Sequence, residues 1–136
     1  MKSLLVNKSQ KPKDSLTHRR VKKNWGSEES IGLNPYYESK IMTVTPGFHC
    51  SIHFHKIKKE TFILVEGELI VETINMSNGK MSITHLQNKY DNITIINEVP
   101  HRFYCPDGQK ENTVFIEVST EDSADDNYRI FPSGKK

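Results

Sequence analysis

The sequence lacks the features that mark several common protein classes. Its 136 residues hold no apolar run approaching the ~20 residues that span a bilayer. The apolar stretch Ser3–Val6 is too short for the core of a secretion signal. A cytoplasmic protein with no membrane partner is therefore expected. Cysteine is scarce: Cys50 and Cys105 do not make a disulfide framework in a chain of this size, and both are expected as reduced thiols in packed strands. Two thiolates alone also make a poor zinc site, so metal chemistry has to come from imidazole and carboxylate groups. Tandem repeats and low-complexity segments are absent. No stretch carries a convincing helical period, apart from a short turn around residues 123–130. The length suits one domain with a proper core and is too small for two.

Net charge is also small, at +2, but it is unevenly spread. Residues 1–24 carry eight Lys or Arg against one acid, Asp14, whereas residues 25–136 carry eleven basic and sixteen acidic side chains. This contrast divides the chain into a solvated, basic N-terminal arm, 1–24, and one acidic domain, 25–136. A basic arm can touch nucleic acid, but no aromatic residue is interleaved before Trp25, so the stacking surfaces of a nucleic-acid binder are missing. Nucleic acid is not the expected partner.

What the sequence does have is a period of two, broken at turns. Ser39–Thr45 alternates until Pro46-Gly47 interrupts it, and the alternation resumes through residues 48–55. That reading places His49, Ser51, His53 and His55 on one face, with Cys50, Ile52 and Phe54 on the other. Residues 60–65 and 68–74 are β-branched and aromatic runs joined at Glu66-Gly67, and Asn78-Gly79 is a strong hairpin signal. Short strands at regular spacing, separated by Gly, Pro and Asn turns, point to an all-β sandwich or barrel.

Residues 53–60, HFHKIKKE, stand out within this pattern. On a strand, residues i and i+2 share a face, so His53 and His55 point together. Glu60 opens the next apolar run. If the two strands form an antiparallel pair, its carboxylate returns towards the imidazoles and completes an N,N,O set that divalent transition metals accept.

These residues carry a resemblance. Gly47, five residues, His53-Phe54-His55, four residues, Glu60, six residues and Gly67 resemble the first motif of the cupin superfamily without a departure. Residues 90–104 resemble its second motif, with Tyr90 where the family usually has glycine and Ile96-Asn97-Glu98 in place of Pro-Pro-Gly. The resemblance implies a cupin jelly-roll barrel holding one divalent metal (Mn, Zn, Fe, Co or Ni) on His53, His55, Glu60 and His101.

Lys58 narrows it. The run from His53 to Glu60, the Trp25-Gly26 pair and the segment 115–130 resemble the small sugar-isomerase cupins, D-lyxose isomerase and metal-dependent phosphomannose isomerase relatives. That implies a sugar or sugar-phosphate substrate and an aldose–ketose isomerisation through a cis-enediol. Glu117 would act as base, with its pKa raised by burial, and Lys58 or Arg129 would steady the enediolate or hold a distal anion. Each of the three also has an ordinary reading. Lys58 sits in a basic turn, Glu117 has Lys58 and Arg102 as possible ion partners, and Arg129 follows a run of acids. Tyr36, Tyr37 and Tyr104 either line the pocket or pack. The same ligand set serves mononuclear dioxygenases, and other small cupins are ligand-binding modules. Open sheet edges and the cupin resemblance together imply a homodimer with the segment Trp25–Tyr37 near its interface.

Overall fold

The computed structural model describes residues 19–120, 123 and 125–136, so most of the expected basic arm, including His18, lies outside the described residues. Among the described residues all regular structure is β, and no helix is long and apolar enough to cross a membrane. One sheet runs β1 (Arg20–Lys23), β2 (Gly26–Leu33), β3 (Glu38–Val44), β11 (Thr113–Ser119), β6 (Glu60–Glu66) and β9 (Asn92–Ile95). The other is built around β10 (His101–Tyr104). On one side of β10 lies β7 (Leu69–Ile74), which carries β8 (Met81–Leu86). On the other side lie β4 (Phe48–His49) and β5 (Ile52–Phe54), extended by β13 (Gly134–Lys135) and β12 (Tyr128–Phe131).

All pairings are antiparallel, and most connections cross from one sheet to the other: the protein is a jelly roll. The expected hairpin at Asn78-Gly79 joins β7 to β8, with Ile74 opposite Met81 and Gly79 at a φ of 72°. β1 pairs with β2 over Arg20–Lys23, so the sheet extends into the segment read as the arm.

Period-two burial is clearest on the central strands. Glu60, Phe62 and Leu64 point inward from β6, and Thr113, Phe115, Glu117 and Ser119 from β11. Phe62, Phe103 and Phe115 meet with ring centroids 4.9–5.7 Å apart, in tilted and edge-on arrangements. Trp25 stands edge-on to Phe103 at 5.0 Å, buried in the chain's own core, so it does not belong to an exposed interface. The neighbouring Gly26 explains the pairing of these two residue types. At its φ of 147°, a Cβ would lie 1.9 Å from the Thr43 carbonyl oxygen, so only glycine lets β2 close on β3 while Trp25 turns inward.

Polarity changes along the strands. Glu60 precedes Phe62, His101 precedes Phe103, and Glu117 follows Phe115, so one end of the barrel is aromatic and the other ionisable. Two backbone positions mark departures from the cupin second motif. Tyr90 and Glu98 adopt φ values of 75° and 66°. Both stand where the usual pattern has glycine, and for a side chain bearing a Cβ the left-handed region costs about 1–2 kcal/mol. The turn at Tyr90 is held by Asp91, whose carboxylate accepts the Gln87 and Asn88 N–H groups at 3.1 and 2.8 Å. At Glu98 the backbone N–H donates to the His55 carbonyl at 2.5 Å, tying the turn before β10 to the residue that follows β5.

Candidate metal centre

The ionisable end of the barrel brings His53, His55, Glu60 and His101 together. One donor atom from each lies within 4.8 Å of all the others. His53 and His101 are direct cross-strand neighbours on β5 and β10, with ring centroids 4.5 Å apart, and His55 lies 5.0 Å from His53. Glu60 does not arrive by hairpin pairing. β5 and β6 belong to opposite sheets, so the carboxylate reaches the imidazoles across the barrel interior and not along a shared edge.

The alternation read from residues 48–55 also breaks. The ladder is interrupted at Cys50-Ser51, between β4 and β5. Cys50 turns into the core and lines the cavity, while His49 is buried with its ring 6.2 Å from Phe131 and is not part of the cavity wall. Burial pushes the Cys50 thiol up, so it stays protonated.

Each histidine is oriented from behind. Nδ1 of His53 donates to the Ser51 carbonyl at 2.9 Å, that of His55 to the Asp126 carbonyl at 2.6 Å, and that of His101 to the Val99 carbonyl at 2.8 Å. Protonation at Nδ1 leaves Nε2 as the lone-pair donor, which is how metal-bound imidazoles are commonly held. Nε2 of His55 and of His101 and Oε2 of Glu60 are buried without a hydrogen-bond partner, although Glu60 Oε2 lies 2.8 Å from His101 Nε2. Buried polar atoms rarely go unsatisfied, and three converging on one point fit a cation. The donors, three imidazoles and one carboxylate, suit borderline divalent metals.

Electrostatics agree. Burial, helped by the nearby His101, lowers the His53 pKa to about 3, so this imidazole is neutral and free to bind. Burial opposes charge on Glu60 as well, but His101, His55 and the Lys58 ammonium hold its carboxyl well below the ordinary 4.5. For His55 burial is outweighed by Glu60 and by the Asp126 carbonyl, which move its pKa up from 6.5.

A cavity of about 690 Å³ opens onto His53, His55 and Glu60. Trp25, Met42, Phe62 and Phe103 supply apolar wall, and Lys58, Glu117 and Arg129 all line it, as do Arg19, Lys23 and Lys40. Lys58 and Glu117 are both buried, with Lys58 Nζ 3.3 Å from Glu117 Oε2 and 3.5 Å from Glu60 Oε1. The ammonium therefore bridges a ligand carboxylate and the second carboxylate, and Lys58 is not the solvated turn residue that its basic surroundings suggest. Arg129 is exposed on β12, directly beside His53 in register.

None of the three singled-out tyrosines lines the cavity. Tyr36 and Tyr37 are 81% and 53% exposed, and the Tyr104 hydroxyl donates to Glu72, which also pairs with Arg102 at 2.6 Å. Sequence reasoning missed Arg19, Lys23 and Lys40 as wall residues. Their only signal was membership of basic or alternating stretches, which says nothing about the direction they face.

Residues 10–126 match the family described as mannose-6-phosphate isomerase C-terminal. The chain belongs to that family. A relative, the xanthan biosynthesis protein XanB of Xanthomonas campestris pv. campestris, is 29% identical over 89 residues, which are 65% of this chain and 18% of XanB. Among solved structures, the capsular polysaccharide assembling protein CapF of Staphylococcus aureus superposes with a TM-score of 0.76 at 17% identity, over 83% of this chain and 31% of CapF. A Bacillus subtilis oxalate decarboxylase superposes with a TM-score of 0.71 at 18% identity, over 83% of this chain and 30% of the enzyme. At these identities the two structures establish the cupin fold and nothing finer. The chain spans under a fifth of the length of XanB and about a third of each of the two structures.

Proposed function

We propose that this family member is a metal-dependent aldose–ketose isomerase for a sugar or sugar phosphate, working through a cis-enediol. The observation that carries the reading is the buried Lys58–Glu117 pair, which shares one cavity with His53, His55 and Glu60 of the three-histidine, one-glutamate cluster. His53, His55, Glu60 and His101 would hold a divalent ion such as Mn, Zn, Fe, Co or Ni. Such an ion supplies Lewis acidity towards the two neighbouring substrate oxygens between which the carbonyl moves. The family match and the xanthan-biosynthesis name of XanB support a sugar-derived substrate.

The chain's own residues account for the proton movements. The Glu117 carboxylate takes the proton from C2 of the aldose, and the electron pair of that C–H bond forms the C1–C2 double bond as the carbonyl oxygen at C1 gains a proton from the Lys58 ammonium. The same carboxyl then returns its proton to C1 while the C2 hydroxyl gives its own to the Lys58 amine, restoring the ammonium and leaving the ketose. One group serves both carbons because they are adjacent on one face of the planar enediol. The Lys58 ammonium, 3.3 Å from Glu117, faces the oxygens on which negative charge develops. Arg19 and Arg129 add positive charge to the cavity wall, where Lys23 and Lys40 pair with Glu28, and two guanidinium groups suit a phosphate on the far end of the sugar. The Tyr36 and Tyr37 rings suit a homodimer contact.

The test is a panel of aldoses and ketoses, free and phosphorylated, incubated in D₂O with metal-loaded protein. Deuterium should enter C1 or C2, and Glu117→Gln should cut that exchange by at least ~10²-fold with metal content unchanged. Full metal loading with no exchange from any sugar sinks the isomerase reading and favours a ligand-binding module.

A further inference from the structure

The loop between β5 and β6, residues 55–59, carries His55 and Lys58 and leads into Glu60, and it makes little use of its own backbone for support. Its successive N–H groups donate instead to the chain's C-terminal part. Lys56 N–H reaches Asp126 Oδ1 at 2.7 Å, Ile57 N–H is shared between Oδ1 and Oδ2 at 3.3 and 3.2 Å, and Lys58 N–H reaches Oδ2 at 2.9 Å. Lys59 N–H continues the series to Thr120 Oγ1 at 3.0 Å. The same Asp126 accepts the His55 Nδ1–H on its main-chain carbonyl at 2.6 Å. One buried residue thus grips the loop with its carboxylate and a metal-site histidine with its backbone.

Asp126 is itself held. Its N–H donates to the Ser123 carbonyl at 3.0 Å, and the strand that follows it, β12, lies against β5. Tyr128 stacks on Phe54 at 5.2 Å, with Lys56 Nζ 4.7 Å above the Tyr128 ring.

We propose that Asp126 is the positioning residue of this centre: its carboxylate and carbonyl together set the direction of the His55 ring and the placement of the Lys58 backbone, and thereby the metal affinity. The proposal rests on the metal-site reading above but not on the isomerase reaction. Neither the cupin motif residues nor the Lys58–Glu117 pair includes this aspartate, and its partners lie about seventy positions away.

Cobalt(II) is the probe. Wild type, Asp126→Asn, Asp126→Ala and the control Asp125→Asn are titrated with Co(II) as full-length protein, following the visible ligand-field bands. Amide hydrogen exchange is followed at residues 56–58. Asp126→Asn keeps the residue's shape and removes an acceptor, so it tests the idea even if Asp126→Ala does not fold. Both variants keep the carbonyl that holds His55 and loosen the loop that anchors it, and this loss of outer-shell support is expected to weaken Co(II) binding by about 10-fold or more, with altered bands at saturation and faster exchange at residues 56–58. Asp125→Asn should match wild type. Co(II) affinity within about twofold of wild type in a folded Asp126 variant, with unchanged bands, overturns the proposal. Failure of wild type to take up Co(II) overturns the metal reading itself and this inference with it, while binding without sugar turnover leaves this inference standing.

Discussion

Removing the metal should destabilise the fold, and the size of the loss follows from three atoms. Nε2 of His55, Nε2 of His101 and Oε2 of Glu60 are buried without hydrogen-bond partners. Leaving one buried polar atom unsatisfied costs about 1–3 kcal/mol. A proton between Glu60 Oε2 and His101 Nε2, 2.8 Å apart, satisfies two of the three, so the metal-free centre retains about 1–3 kcal/mol at His55 Nε2, a sizeable part of the about 5–15 kcal/mol that stabilises an ordinary domain. A divalent ion satisfies all three at once. By linkage, free metal at about a thousand times its Kd stabilises the folded state by roughly 4 kcal/mol. For a chain of this length each kcal/mol moves the melting temperature by about 4 °C, so saturation should raise Tm by about 16 °C. The assay is thermal unfolding of chelator-stripped protein titrated with Mn, Zn, Co, Ni and Fe(II), beside elemental analysis of protein purified without a His-tag. His53→Ala combined with His55→Ala should abolish both the metal and the metal-dependent shift. An unchanged Tm with every metal, or full occupancy in the double variant, would refute the assignment.

Two other outcomes are expected. Burial and the neighbouring Glu72 raise the Tyr104 pKa to about 12, so its neutral form is favoured by folding; that contribution is intact below the usual value near 10 and is lost as pH rises through about 12. The difference in ultraviolet phenolate absorbance between wild type and Tyr104→Phe should show a step near 12, and a step near 10 would mean that the Glu72 contact is not made in solution. The proposed homodimer should sediment as such at micromolar concentration, and Tyr36→Asp with Tyr37→Asp should weaken it; a monomeric wild type counts against it.

Much of the centre was legible because strand geometry is local. The i, i+2 spacing of His53 and His55 needs only a pleated backbone to place both on one face, and period two along residues 60–65 and 113–119 marks Phe62, Leu64 and Phe115 as core. Composition and turn chemistry were enough for an all-β reading, and the Asn78-Gly79 hairpin needed nothing beyond its own dipeptide. Three things were settled only in three dimensions. Glu60 meets the histidines because β5 and β6 lie on opposite walls of the barrel, a matter of sheet closure that no local pattern encodes. Cys50 takes the inward place that alternation assigned to His49, because the break at Cys50-Ser51 shifts the phase, and a period cannot announce where it will slip. Lys58 and Asp126 read as a basic turn and an acidic run, which in sequence are solvent features. Only the approach of β11 and the C-terminal segment to that turn pairs the ammonium with Glu117 and turns Asp126 into an acceptor for three backbone N–H groups. Charges and hydrogen-bond donors carry no partner label in a sequence; what each one does is decided by what folding brings within about 3 Å.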